Sequence, residues 1–261
     1  PLLIIYKYLI FKNMKSILIS GAASGIGAAT VKRIASKDTS FTLTTKSNEE
    51  GLKKVADYAQ KKGAKVRILC GDLSDKNFIK SLINLARKQT GNIDQLVANA
   101  GYADKKKFGE FNREDLNKSI LTMASSFSEI INLSLNDFKQ SKYGKIITIS
   151  SFVNKNIGLN DNIFPTTAAA KGALEALTKT LAYQLAPYNV TVNSISPGYT
   201  KKDGKHSALS NEEWDKIINK IPLNRLALPQ DIANLTSFLL SDQASYITGQ
   251  IIKVDGGLSL I

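Results

Sequence analysis

The sequence has very few of the residues that build disulfides and metal sites. Its 261 residues include one cysteine, Cys70, and one histidine, His206. A single cysteine excludes an internal disulfide and any multi-cysteine metal site, and the lone histidine has no second soft ligand nearby for a transition metal. We therefore expect no bound metal, and we expect a reducing, cytoplasmic setting.

Long hydrophobic runs are also lacking. The compositional break in the chain comes before Met14, because residues 1–13 are apolar but are interrupted by Lys7. A bilayer span needs about 20 apolar residues, and this stretch has neither the basic leading region nor the cleavage site of a signal peptide. We expect no membrane span and one domain over residues 14–261. Residues 1–13 are predicted to be an upstream extension, with a short surface anchor as the alternative.

Acidic residues are outnumbered by basic ones. The chain has 22 Asp and Glu against 35 Lys and Arg, which gives a formal net charge of +13. Such a balance attracts phosphates, nucleic acids and anionic surfaces. The lysines are scattered, however, and are not interleaved with aromatic residues, which does not match a nucleic-acid footprint. We expect a lysine-rich solvated surface and no nucleic-acid partner.

Short apolar runs rich in Ile, Val and Leu alternate with longer stretches of helical period. This alternation is typical of β-α units wound into a parallel sheet. The sequence therefore predicts an α/β fold: a single Rossmann-type, doubly wound parallel sheet of about seven strands with helices on both faces. The predicted strands lie near residues 16–20, 41–45, 65–69, 95–98, 145–150, 191–195 and 250–254. After the fifth of them, apolar residues at helical spacing predict a helix that carries Lys171 and ends before Pro187.

A glycine-rich loop joins the first predicted strand to the first predicted helix. Glycines permit a tight turn there and let backbone N–H groups approach a pyrophosphate at the helix N-terminus. The alternative is that the glycines serve packing alone. The predicted cofactor contacts of this loop are Gly21, Ser24, Gly25, Ile26 and Gly27.

The second predicted strand ends in Thr45, Lys46 and Ser47, without a carboxylate. An acidic residue at this position usually binds the ribose 2′-hydroxyl of NAD, whereas NADP needs a cation for its 2′-phosphate. Lys46 and Ser47 therefore favour NADP over NAD. A solvated lysine at a strand end is the alternative for Lys46.

The order and spacing of these segments resemble the short-chain dehydrogenase/reductase family, and in particular its 3-oxoacyl-carrier-protein-reductase-like members. The segments that carry the resemblance are the glycine loop, Asn99-Ala100-Gly101, Ser150-Ser151, Lys171 and Pro197-Gly198. The resemblance implies that residues 14–261 form a dinucleotide-binding and catalytic domain. It also implies that Asp72 contacts the adenine, that Leu73, residues 99–101, Pro197 and Gly198 bind the cofactor, and that the protein is a homodimer or homotetramer. In many relatives that use NADP the loop position of Ser24 is basic, which counts against NADP here. Capping of the next helix is the alternative for Asp72, although Ser74 or Asp75 suits that position better.

The resemblance also implies a catalytic centre of a serine, a tyrosine, a lysine and usually an asparagine. Ser151 and Lys171 match the first and third of these. Thr167 stands where the tyrosine is expected, four residues before Lys171, and Met123 falls on or beside the asparagine position. A phenol beside an ammonium is an effective acid, whereas an aliphatic hydroxyl is far too weak.

Two functions fit this pattern. The first is an NADP-dependent oxidoreductase that acts on a small carbonyl or alcohol, with catalytic candidates Ser151, Thr167 and Lys171 and with impaired or rerouted proton transfer. In the rerouted case, Tyr199 or His206 supplies the proton. The second is a catalytically inactive nucleotide-binding subunit or sensor with the same fold.

Overall fold

The computed structural model describes residues 14–158, 162–201 and 211–260. Within these ranges, seven strands form one sheet. The strands are β1 Lys15–Ser20, β2 Thr39–Thr45, β3 Lys65–Cys70, β4 Gln95–Ala98, β5 Lys145–Ile149, β6 Thr191–Pro197 and β7 Ile251–Val254.

All paired strands are parallel, in the order β3-β2-β1-β4-β5-β6-β7. The order reverses between β1 and β4, because the first half of the chain winds outward on one side of β1 and the second half on the other. This reversal is the switch point at which doubly wound sheets bind ligands. The predicted fold class is therefore confirmed.

Helices connect the strands and cover the sheet. Their bounds are α1 Gly25–Ile34, α2 Glu49–Lys61, α3 Lys76–Thr90, α4 Arg113–Ile120, α5 Ser126–Gln140, α6 Pro165–Leu185, α7 Asn211–Ile218 and α8 Pro229–Leu239. A π-helical turn, Leu121–Ser125, lies between α4 and α5. In the part of the chain that the structure describes, no helix is long and apolar enough to span a membrane.

Successive side chains of the central strands enter cores on opposite faces of the sheet. In β1, Ile17 and Ile19 belong to one core cluster, whereas Leu18 belongs to the other. This alternation follows from the two-residue period of a strand. Each fully buried aliphatic side chain contributes about 1.5–3 kcal/mol to the stability of the fold. Packing on both faces therefore stabilises the sheet and the strand ends that carry the site.

The predicted boundaries differ from the observed ones by a few residues. The helix that carries Lys171 begins at Pro165, in agreement with the preference of proline for the first helical turn. Strand β5 ends at Ile149, one residue earlier than predicted. Ser150 follows the strand, and its hydroxyl donates a 2.6 Å hydrogen bond to Glu175 Oε1 on α6.

Asn99 ties the glycine loop to the central strands. Its Nδ2 donates to the carbonyls of Ser20, at 3.1 Å, and Gly21, at 2.9 Å. Its backbone N–H donates to Ser20 Oγ. The end of β4 therefore fixes the conformation of the loop that follows β1.

We predict that Asn99→Ala lowers the free energy of unfolding by about 1–3 kcal/mol, because two carbonyls lose their donor. Urea unfolding followed by circular dichroism measures this. Asn92→Ala is the control, since Asn92 is exposed on the turn before β4. Equal stability of the two variants would contradict the assigned connection.

Candidate functional site

The glycine loop has the backbone conformation that the sequence predicts. Gly21 and Gly25 have positive φ angles of 65° and 54°, which side chains disfavour. A Cβ at Gly27 would lie 2.2 Å from the carbonyl oxygen of Gly21. Ser24 precedes α1, and the half-buried Ile26 lies in its first turn. Because no acidic residue occupies that first turn, the helix N-terminus suits an anionic group.

Lys46 and Asp72 meet at the carboxyl ends of β2 and β3. Lys46 Nζ lies 2.5 Å from Asp72 Oδ2. Lys46 and a backbone hydrogen bond from Ser74 lower the pKa of Asp72 to about 2. The Lys46 side chain is 63% exposed, so this ion pair contributes little to stability, and a phosphate can draw Lys46 away.

The neighbours of this pair also fall where the sequence places them. Ser47 is exposed beside Lys46, and Leu73 is buried beside Asp72. Asp75 caps α3 by accepting a hydrogen bond from the backbone of Asn77. The prediction that Ser74 or Asp75, and not Asp72, caps this helix is therefore confirmed. The carboxylate of Asp72 instead pairs with Lys46.

Residues 99–101 and Lys171 meet at the carboxyl ends of β4 and β5. A Cβ at Gly101 would lie 3.1 Å from Lys171 Nζ and 3.1 Å from Met123 Sδ. Ala100 packs against the core beneath this point. Met123 lies within the π-helical turn, and such turns often occur at functional sites. The position expected for the family asparagine therefore lies beside Lys171.

Lys171 is buried, with 6% exposure. Its Nζ donates a 2.5 Å hydrogen bond to the carbonyl of Ile149, the last residue of β5. Burial lowers the pKa of Lys171 to about 8, and the carboxylate of Glu175 acts in the opposite direction. The side chain thus holds an ammonium at the carboxyl edge of the sheet with few partners around it.

Ser151 lies two residues beyond β5, at the start of a short 3-10 turn over Phe152–Asn154. Its hydroxyl accepts a weak hydrogen bond from the backbone of Val153, at 3.4 Å. Because this bond is long, the hydroxyl remains able to bind another oxygen.

Thr167 is buried in the first turn of α6. Its hydroxyl accepts a 2.9 Å hydrogen bond from the backbone N–H of Asp104. It also donates a longer bond, of 3.4 Å, to the carbonyl of Tyr102. The hydroxyl is therefore occupied as acceptor and donor by the loop that follows residues 99–101.

Pro197 ends β6, and Gly198 packs directly against the backbone of Asp255. Tyr199, which follows, packs against Phe152, with ring centroids 4.6 Å apart and ring planes tilted by 52°. Burial raises the pKa of Tyr199, and the side chain of Asn162 acts in the opposite direction. His206, the other candidate for rerouted proton transfer, lies outside the described residues.

Two features of the site were missed in the sequence. One is Glu175, and its spacing of four residues from Lys171 was an available signal, because such residues share a helix face. The other is the contact between the Thr167 hydroxyl and the loop that contains Tyr102 and Asp104. This loop lies more than 60 residues before Thr167 in the chain. No local pattern reveals that contact. No group of three or more metal-ligating side chains occurs among the described residues.

Comparison with known proteins shows the family to which the chain belongs. A family model described as Enoyl-(Acyl carrier protein) reductase matches residues 21–259. A 3-oxoacyl-(acyl-carrier-protein) reductase of Rickettsia felis is 37% identical over 252 residues, covering 95% of this chain and 98% of the relative.

Two solved structures share the fold. YwfH, an NADPH-dependent reductase involved in bacilysin biosynthesis, superposes with a TM-score of 0.85 at 28% identity, covering 94% of this chain and 98% of that one. A variant of a Serratia marcescens short-chain dehydrogenase/reductase gives a TM-score of 0.87 at 27% identity, covering 95% and 99%. The chain belongs to the short-chain dehydrogenase/reductase family of NAD(P)-dependent oxidoreductases. Its curated relatives include 3-oxoacyl-(acyl-carrier-protein) reductases.

We predict that Thr167→Val leaves the Asp104 N–H without its acceptor, lowers the free energy of unfolding by about 1–3 kcal/mol and speeds hydrogen exchange of that amide. Amide exchange by NMR measures this. Thr166→Val is the matched control, because the Thr166 hydroxyl contacts the Asp104 carboxylate and not its N–H. Unchanged exchange at Asp104 in Thr167→Val would refute the contact.

Proposed function

We propose that this protein is an NADP-dependent oxidoreductase that acts on a small carbonyl or alcohol, with impaired or rerouted proton transfer. One observation carries the proposal: the glycine loop, Gly101 and the buried ammonium of Lys171 converge on one edge of the sheet. The Rickettsia felis relative is named for a 3-oxoacyl substrate, so a 3-oxoacyl thioester is the first carbonyl compound to test.

The residues of the site fit a dinucleotide cofactor. The N-terminus of α1, which has no acidic residue in its first turn, suits the pyrophosphate. Lys171, whose charge has few partners, would hold ribose hydroxyls. Asp72 would accept from the adenine, and Lys46 with Ser47 would hold the 2′-phosphate. When bound, the cofactor supplies hydride chemistry.

Ser151 and Thr167 determine what happens to the substrate oxygen in this proposal. Ser151 donates a hydrogen bond to that oxygen and orients it. Thr167 replaces the phenol of the family, and its aliphatic hydroxyl is too weak an acid to deliver a proton at neutral pH. Its hydrogen bonds to the loop of Tyr102 and Asp104 further restrain it. Loss of a general acid typically costs about 10²–10⁴-fold in rate.

Rerouted proton delivery has two candidates. Tyr199 lies near Ser151, since its ring packs on Phe152, but its raised pKa makes it a poorer acid than an ordinary tyrosine. The imidazole of His206 is the other candidate, since the sequence places it in the segment that follows Tyr199.

A second candidate function is a non-catalytic nucleotide-binding subunit or sensor, which pairs with itself or with an active relative. The engagement of the Thr167 hydroxyl by the loop after β4 favours it, because this contact stabilises the site without a substrate. In both functions we propose a homodimer or homotetramer, and a domain over residues 14–261 with residues 1–13 as an extension.

We predict that Lys46→Ala weakens NADPH binding by about tenfold or more, because a charged hydrogen bond worth about 1.5–3 kcal/mol is lost. NADH binding should change little. Calorimetry with both cofactors measures this. Lys54→Ala is the control, because Lys54 forms an exposed ion pair with Glu50 one helical turn away. An equal loss of affinity for NADPH and NADH would show that Lys46 does not bind the 2′-phosphate.

We predict that Thr167→Tyr raises turnover of generic ketones and aldehydes by about 10²-fold or more, because it restores a phenol whose pKa the neighbouring ammonium can lower. Initial rates of NADPH oxidation measure this. Thr166→Tyr is the control, because it places the same side chain one residue away from the position four before Lys171.

Three other outcomes separate the alternatives. If proton delivery is rerouted, the unmodified protein already turns over its substrate, and His206→Ala or Tyr199→Phe reduces that rate. If Thr167→Tyr binds NADPH but reduces no compound in a broad panel, the non-catalytic function is favoured. If neither protein binds a nicotinamide cofactor, both functions fail.

A further inference from the structure

Glu175 is a buried carboxylate that the proposed chemistry does not use. It lies in the middle of α6, with 7% exposure. Carboxylates are almost never fully buried unless they are paired, because removal of a charge from water is costly. Its partners therefore indicate why the helix retains it.

These partners flank Ser151 on both sides. Ser150 Oγ donates to Glu175 Oε1 at 2.6 Å. Lys155 Nζ lies 3.4 Å from Glu175 Oε2. One carboxylate on α6 thus restrains the residue before Ser151 and the residue that follows the 3-10 turn. Among the described residues, by contrast, the Ser151 hydroxyl is held only by its long bond from the Val153 N–H.

Glu175 also faces the candidate lysine. Residues four apart share a helix face, so the carboxylate and the ammonium of Lys171 lie on the same side of α6. The charge of Glu175 favours protonated Lys171, against the effect of burial.

The remaining surroundings of Lys171 offer no comparable charge in the described part of the chain. The backbone of Ile149, Gly101 and the thioether of Met123 are neutral. Asp104, on the loop packed against α6, accepts hydrogen bonds from Thr166 Oγ1 and the Lys106 N–H. Lys155 is directed to Glu175 itself.

We propose that Glu175 is a positioning residue of the site: it ties both flanks of Ser151 to α6 and supplies the negative charge that faces the buried ammonium of Lys171. This inference rests on the proposed function, in which Ser151 and Lys171 act on substrate and cofactor. It predicts that the orientation of the serine and the charge of the lysine depend on one carboxylate.

Glu175→Gln tests the charge, because glutamine keeps an acceptor for Ser150 and nearly the same volume. The free protein, labelled with ¹³C at lysine Cε, gives the Lys171 titration by NMR, and Lys171→Met identifies its signal. The unmodified protein should titrate near pH 8. In Glu175→Gln the midpoint should fall below that value, since the neutral amine is then favoured further. An unchanged midpoint would overturn the proposal.

NADPH affinity provides the second readout. The ammonium, and not the neutral amine, is the form proposed to hold the ribose, so affinity should fall as pH rises through the pKa of Lys171. In Glu175→Gln this fall should begin at lower pH. The ratio of variant to unmodified Kd should therefore be greater at pH 8 than at pH 6, and a ratio that is constant with pH would contradict the proposal.

Ser150→Ala tests the tie to the serine without removing the charge. Hydrogen exchange measured by mass spectrometry should show faster exchange over residues 150–156, with the Lys171 titration unchanged. Asp137→Asn is the matched control, because Asp137 is equally buried but pairs with Arg87 between α3 and α5. It should lower the free energy of unfolding and change neither readout. A shift of the Lys171 midpoint in this control would reduce Glu175 to a merely structural residue.

The two proposals fail separately. If NADPH does not bind to the unmodified protein at any pH, the proposed function fails, while the titration and exchange of the free protein still test Glu175. If NADPH binds and both variants match the unmodified protein, the function stands and the inference about Glu175 is wrong.

Discussion

The parallel direction of all seven strands is the constraint on which the site depends. Parallel strands end at the same edge of a sheet, so segments far apart in the chain are brought together there. The glycine loop follows β1, residues 99–101 follow β4, and Ser151 follows β5. Hydrogen bonds such as those from Asn99 to Ser20 and Gly21 then fix the relative heights of these ends.

Burial of charge is the second requirement of this edge. Lys171 loses its hydration when α6 packs on the sheet, and the single carbonyl of Ile149 replaces only part of it. Glu175 supplies an opposite charge on the same helix, and Ser150 and Lys155 in turn satisfy its carboxylate. The site is therefore a connected polar network. If one member is removed, another buried group loses its partner, which is energetically costly.

Local patterns account well for the fold and for much of the candidate site. Short runs rich in apolar and β-branched residues predicted all seven strands, because the strands of a parallel sheet are covered on both faces. Glycine at positions 21 and 25 permits the positive φ angles of the loop. The ends of the strands and helices were less predictable. Strand β5 ends before Ser150, whose hydroxyl binds Glu175, 25 residues later in the chain.

By itself, the sequence determined the fold class, the order of the loops at the carboxyl edge, and the presence of Thr167 four residues before Lys171. These depend on periodicity and spacing, which are local properties of the chain. Only the tertiary structure decided that the Thr167 hydroxyl is bound by the loop of Tyr102 and Asp104, that Lys46 pairs with Asp72, and that Glu175 binds Ser150 and Lys155. The reason is physical: hydrogen bonding and burial of charge depend on which distant groups packing brings within about 3 Å, and spacing along the chain does not specify that.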